Sequence, residues 1–83
     1  MIINQEISNS STVKRIYVEI PEQDETLEVI LFHLDKTYSI RHYKGAEVVY
    51  ELLCLFDSKA VTMIAEALLL ERTGEEIKLE FSL

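Results

Sequence analysis

The sequence predicts a small α+β fold, in which an antiparallel sheet carries one helix on a face. Four segments rich in β-branched and aromatic residues are separated by short polar turns, which is typical of strands. Residues 57–72 begin with good N-capping residues and contain strong helix formers, and Gly74 follows them as a helix stop. A last segment alternates apolar and polar residues. The predicted order is therefore β-β-β-β-α-β, within one domain over residues 1–83.

The N-terminal part of the chain predicts a loose segment followed by the first strand. Residues 1–11 end in a polar Ser-Asn-Ser-Ser tract, which is typical of a loop or linker. The next residues, 12–20 (TVKRIYVEI), form a strand pattern in which Ile16, Val18 and Ile20 share one side. Residues 21–25, which contain the only proline, then form an acidic loop that ends the strand.

Two hairpins are predicted next. Residues 27–34 and 37–43 form antiparallel strands around a two-residue turn at Asp35-Lys36, and Lys44-Gly45 forms the following turn. If these turns set the register, Arg41, Tyr43 and Leu52 lie on one face. The opposite face takes Val29, Leu31, His33, Tyr38, Ile40, His42, Glu47, Val49, Glu51 and Leu53. Both faces are apolar enough that we expect them to need covering.

The segment 46–56 (AEVVYELLCLF) fits two structures. Its Val-Val-Tyr run and the preceding glycine favour a strand, whereas the spacing of Val48, Leu52 and Phe56 also fits a helix. We predict a strand, with Cys54 as a small buried apolar side chain. As the only cysteine, Cys54 permits no disulfide within the chain.

Residues 57–72 (DSKAVTMIAEALLLER) predict a helix about 24 Å long. Asp57 and Ser58 are good N-caps, and Gly74 suits a left-handed C-terminal stop. After it, residues 77–83 (IKLEFSL) predict a half-buried strand that pairs with the sheet.

The helix is apolar over more of its circumference than one sheet can cover. Residues placed at steps of about 100° spread the apolar side chains over roughly 260°, and a single sheet needs a stripe of little more than about 100°. The members of this arc are Val61, Ala65, Leu69, Leu68, Ile64, Ala60, Ala67, Met63 and Leu70. The side farthest round from Val61, formed by Met63, Ala67 and Leu70, is the predicted interface with a protein partner.

Composition restricts the class of partner. Fifteen Asp and Glu residues against eight Lys and Arg give a net charge of −7, which disfavours binding to nucleic acid or to an anionic membrane. A hydrophobic content of 48% with 28% charged residues is that of a globular domain. No apolar run is long enough for a membrane span, and no secretion signal is recognisable, so we expect a cytoplasmic protein.

The residues that carry chemistry predict neither an enzyme nor a metal or cofactor site. His33 and His42 share a face in the predicted register, but four residue steps along a strand separate them by more than about 10 Å. His42 is instead predicted to pair with Glu47 across the strands. No glycine-rich phosphate loop, nucleophile motif or small-molecule site is evident.

The leading hypothesis is therefore a non-catalytic, regulatory protein-interaction domain that forms a homodimer or binds a larger protein. The alternative is a binder of single-stranded nucleic acid, because residues 36–44 mix cations with aromatic rings. Its candidate residues are Lys36, Tyr38, Arg41, Tyr43 and Lys44, although Tyr38 and Tyr43 are predicted on opposite faces. A further alternative is an acidic inhibitor that imitates nucleic acid, with Glu22, Asp24, Glu25, Glu75 and Glu76 as its charges.

Overall fold

The structure, a computed structural model, describes residues 4–79 apart from the side chain of Cys54. One antiparallel sheet contains five strands in the order β1-β2-β3-β4-β5, and one helix follows it. The elements are β1 (Asn4–Asn9), β2 (Val13–Ile20), β3 (Glu25–Phe32), β4 (Thr37–Lys44), β5 (Glu47–Leu55) and α1 (Ser58–Thr73). The predicted α+β class is thus confirmed. No helix within residues 4–79 is both long and apolar enough to cross a membrane.

The order of the elements differs from the prediction at the N-terminal end. The segment predicted to be loose contains β1, which pairs with β2 from Asn4 opposite Glu19 to Asn9 opposite Lys14. A polar sequence suffices here because β1 is the edge of the sheet and most of its side chains are exposed. Its backbone partner is β2, which no local pattern in residues 4–9 indicates.

The C-terminal end differs as well. Residues 76–79 form no strand, and the rest of the predicted strand, 80–83, lies outside the described residues. Ile77 and Leu79 nevertheless pack against the core. The backbone N–H of Leu79 donates a hydrogen bond of 3.0 Å to the Glu66 carboxylate on α1. The alternation of apolar residues after α1 therefore reflects contact of Ile77 and Leu79 with the core. The backbone of Leu79 is paired with a helix side chain and not with a strand.

The register of β3 and β4 preserves the predicted faces. The loop spans residues 33–36 and closes with a hydrogen bond from the Lys36 N–H to the Phe32 carbonyl. Val29 consequently lies opposite Ile40, two residues away from the predicted register. Because side chains alternate with a period of two, a shift of two leaves every residue on its predicted face.

The faces of β5 are only partly as predicted. The turn is Gly45-Ala46, which again shifts the register by two and places Lys44 opposite Glu47. A bulge at Val49 then exchanges the faces of Tyr50, Glu51 and Leu52, and a second irregularity between Leu52 and Leu55 exchanges the faces again. The prediction that Glu51 shares a face with Val29 is therefore wrong. The predicted pairing of His42 with Glu47 is also wrong, because Glu47 lies opposite Lys44. Strand rather than helix is confirmed over Glu47–Leu55.

The core lies between α1 and one face of the sheet. Strand residues and three helix residues form it: Ile16, Val18, Ile20, Leu27, Val29, Ile40, Val61, Ala65 and Leu69. The helix bounds agree with the prediction to within one residue. The Asp57 side chain accepts a hydrogen bond of 2.9 Å from the Lys59 N–H, and Gly74 adopts a φ of 75° at the C-terminal end.

Candidate interaction surface

The outward side of α1 is apolar. Val61, Ala65 and Leu69 are buried against the sheet. Helical spacing places Met63, Ala67 and Leu70 on the opposite side, and all three are exposed, with Met63 at 70% and Leu70 at 48%. We call these three residues the ridge. The side chains predicted as a protein interface are therefore accessible to a partner.

Phe56 extends the apolar surface beyond the ridge, and it was not part of the predicted interface. Its side chain is 77% exposed, and it immediately precedes the Asp57 N-cap of α1. No local pattern identified it, because an apolar residue directly before an N-cap is expected to pack against its own helix. Together with the ridge, Phe56 gives the helix an apolar surface along its length.

Strand β5 is an apolar edge of the sheet. Among residues 4–79 it pairs only with β4, and its exposed large apolar side chains there are Val48, Val49, Tyr50 and Leu53. Two irregularities in its pairing with β4 interrupt the ladder. Such bulges on an edge strand discourage the regular pairing of another strand. The exposed apolar side chains of β5 are therefore suited to side-chain contact more than to extension of the sheet.

An open groove of about 420 Å³ lies between β5 and the last turns of α1. Val49, Tyr50 and Leu68 supply its apolar lining, while Lys44 and Glu71 supply opposite charges beside Arg72, whose own charge is paired with Glu25. The presence of both signs favours no particular charge of ligand. The groove shows that α1 leaves part of the sheet uncovered on the β5 side.

A buried ionic cluster joins the C-terminal end of α1 to the sheet. Glu25 is only 2% exposed, and Arg72 donates hydrogen bonds to its carboxylate. His42 places Nε2 at 3.4 Å from the same carboxylate. The hydrogen bond from Arg72 lowers the pKa of Glu25, against the opposing effect of burial. The prediction missed this cluster because its members lie far apart in sequence.

The face of the sheet that carries no helix is closed by its own side chains. Glu28 and Ile30 are buried there, at 6% and 2% exposure. The Tyr43 hydroxyl donates a hydrogen bond of 3.2 Å to Glu28, and Arg41 forms an ion pair with Glu51. Burial and the charge of Glu28 also raise the pKa of Tyr17. The expectation that this face needs a partner is therefore wrong for its centre.

The five residues of the nucleic-acid alternative are not brought together. Lys36 lies in the β3–β4 turn, and Lys44 lies at the other end of β4. Tyr38 packs against the core on the helix side, whereas Tyr43 lies on the opposite face, as predicted. Arg41, on the face of Tyr43, is already paired with a carboxylate.

The acidic residues and the histidines are also separated. Glu25 is buried, whereas Glu22, Asp24, Glu75 and Glu76 are exposed. His33 contacts Asn9 at 3.0 Å, and His42 lies in the cluster around Glu25. Residues 4–79 contain no group of three or more His, Cys, Asp or Glu side chains that could hold a metal ion.

Comparisons with protein-family models, with curated proteins and with solved structures found no match. Proposals about function therefore rest on the geometry of this chain alone.

Proposed function

We propose that this chain is a small, non-catalytic protein-interaction domain. It binds a protein surface, either that of a second copy or that of a larger protein, through the ridge of Met63, Ala67 and Leu70. Regulation or assembly of a complex follows from that binding. The observation that carries the proposal is the exposure of Met63 and Leu70 on the side of α1 that faces away from the sheet.

Burial of the ridge supplies a driving force for association. Complete burial of a Met or Leu side chain contributes about 1.5–3 kcal/mol, and both are largely in water here. The ridge also carries no charge that would have to be desolvated. A partner with a complementary apolar groove or helix therefore gains energy from contact without breaking any hydrogen bond of the domain.

The experiment compares the tagged chain with a ridge variant in cells of the native source. The variant combines Met63→Ser with Leu70→Ser. The control is Leu34→Ser, which changes an exposed apolar residue in the turn between β3 and β4. Circular dichroism confirms that all three proteins are folded. We expect the tagged chain and the control to recover the same protein at comparable stoichiometry, and the ridge variant to lose it.

Two outcomes overturn the proposal. One is that the tagged chain recovers neither an untagged copy of itself nor any other protein at substantial stoichiometry. The other is that the ridge variant recovers the same protein as well as the control does. Labelled single-stranded oligonucleotides test the alternative, since binding at low salt that Arg41→Ala abolishes supports a nucleic-acid function.

A further inference from the structure

The apolar residues on the outward side of α1, with the two residues that flank the helix, have the sequence spacing of a coiled-coil seam. Successive steps of four, three, four, three and four residues separate Phe56, Ala60, Met63, Ala67, Leu70 and Gly74. This is the spacing of the a and d positions in a heptad. Large residues occupy every d position, and Ala or Gly occupies every a position. Phe56, Met63 and Leu70 are also among the most exposed apolar side chains of residues 4–79.

This alternation of large and small residues is complementary to itself when two helices run antiparallel. Each a position of one helix then lies beside a d position of the other. A two-fold axis level with Ala65 sets Met63 against Ala67 of the second copy, and Ala60 against Leu70. Phe56 and Gly74 lie just outside α1, so they flank the two ends of this arrangement. A parallel pair would instead set Ala against Ala and Met against Met, which leaves gaps and crowding in alternate layers.

Charge complements the antiparallel arrangement at the two ends of the seam. Lys59 lies beside the seam in the first turn of α1, and the two-fold axis places it level with Glu71 of the second copy, close to the C-terminal end of that helix. The last carbonyls of that helix carry partial negative charge, and the carboxylate of Glu75 follows them. At the centre, in contrast, each Glu66 lies one residue from the axis, so the two Glu66 side chains lie within about 3 Å of the same level. Their repulsion limits the affinity.

The surface area that two paired α1 helices would bury indicates a weak dimer. The exposed parts of Phe56, Met63 and Leu70 present on the order of 350 Å² on each chain, judged from the size of such side chains. Two copies together therefore bury roughly 700–1,000 Å² once the small residues and the flanks are included, which is the range of weak and transient interfaces. We expect dissociation constants on the order of micromolar or weaker.

We infer that the partner of the ridge is a second copy of this chain, bound through an antiparallel pair of α1 helices. This inference rests on the proposed function and names its partner. It adds Ala60 to the ridge, with Phe56 and Gly74 flanking the two ends of the seam.

Sedimentation equilibrium of the purified chain, from about 1 µM to about 1 mM, tests the inference with an exchange of large and small residues. Met63→Ala and Ala67→Leu each spoil two symmetry-related layers, so we expect each to weaken dimerisation at least about tenfold. The double variant restores one large and one small residue in each layer and should recover most of the affinity. Ala67→Leu separates specific packing from non-specific association. It adds apolar surface, so non-specific association would become stronger, whereas the seam predicts weaker dimerisation.

Two further measurements examine the charges. Glu66→Gln removes the repulsion at the axis and can still accept the hydrogen bond from the Leu79 N–H, so it should tighten the dimer several-fold. Lys59→Glu should weaken it. Leu34→Ala, on an exposed turn, is the control and should have no effect.

The outcomes separate this inference from the proposed function. In one outcome, the chain remains monomeric at about 1 mM while the ridge still recovers a different protein from cells. This result overturns the inference that the partner is a second copy, and it leaves the proposed function intact. A dimer that Ala67→Leu does not weaken, or that the double variant does not restore, overturns the antiparallel seam. Loss of both the dimer and ridge-dependent recovery overturns both proposals.

Discussion

Arg72, in the last turn of α1, donates hydrogen bonds to Glu25, the first residue of β3, across 47 positions of sequence. The two side chains are in different surroundings, since that of Glu25 is 1% exposed and that of Arg72 is 40% exposed. The contact holds the C-terminal end of the helix against the sheet. The buried Glu25 carboxylate can form hydrogen bonds only with other groups of the protein, whereas the Arg72 guanidinium can also form them with water.

This asymmetry predicts unequal effects of breaking the pair from either side. Arg72→Met leaves the Glu25 carboxylate buried, and an unpaired buried polar group costs about 1–3 kcal/mol, or more when it is charged. Glu25→Gln leaves a guanidinium that water can solvate. At pH 7 we therefore expect Arg72→Met to lower the free energy of unfolding more than Glu25→Gln does. Urea unfolding measures both, and an equal or reversed order would contradict the role of burial.

The same pair predicts a dependence of stability on acid. The pKa of Glu25 is lowered from its ordinary value of 4.5, chiefly by the hydrogen bond from Arg72. A lowered pKa in the folded state stabilises the fold above the ordinary value, and the stabilisation is lost as the pH falls through the lowered pKa. In urea unfolding from pH 6 to about pH 2, the free energy of unfolding should decrease less for Glu25→Gln than for the natural chain. The exposed Glu22→Gln control should follow the natural chain.

Tyr17 should titrate above its ordinary pKa of 10.0, because burial and the charge of Glu28 both disfavour the phenolate. A raised pKa stabilises the fold below the ordinary value, and this stabilisation is lost as the pH rises through the raised pKa. Absorbance titration, with Tyr17→Phe to identify the signal, measures the shift. Glu28→Gln should move the pKa of Tyr17 back toward 10.0, whereas Glu19→Gln should leave it unchanged. An unchanged titration in Glu28→Gln would exclude the effect of the carboxylate.

Two adjacent leucines test the orientation of α1. Leu69 is 1% exposed within the core, whereas Leu70 is 48% exposed on the ridge. Leu69→Ala should lower the free energy of unfolding by about 2–5 kcal/mol. Leu70→Ala should change it by no more than about 0.5 kcal/mol, measured at a concentration where the chain is monomeric. Similar losses for both would show that the helix is rotated from the orientation described.

Substitution by alanine should lower the stability of the fold by different amounts at the two glycines. Gly74 ends α1 with a φ of 75°, and an added Cβ would meet no atom within 4 Å, so Gly74→Ala should cost only the backbone strain of about 1 kcal/mol. Gly45 has a φ of 60°, and its added Cβ would lie 3.3 Å from the Asp24 carboxylate. Gly45→Ala should therefore lose more stability in thermal or urea unfolding. A larger loss at Gly74 would contradict the role of that contact.

The sequence by itself determined the helix, because caps and helix formers act over one or two turns. Asp57 and Gly74 bound α1 as predicted, and helical spacing alone placed Met63, Ala67 and Leu70 on one side. It also determined the faces of β3 and β4, since an error of two residues in register leaves side-chain alternation unchanged.

Only the tertiary structure decided the features that depend on distant backbone partners. The polar residues 4–9 become a strand because β2 offers them a free edge, and the bulge at Val49 exchanges the faces of the middle of β5. Glu25 and Arg72 meet because the sheet and helix close together at one end. Local sequence carries no signal for such contacts, since their energy is realised only after chain segments far apart in sequence have been brought side by side.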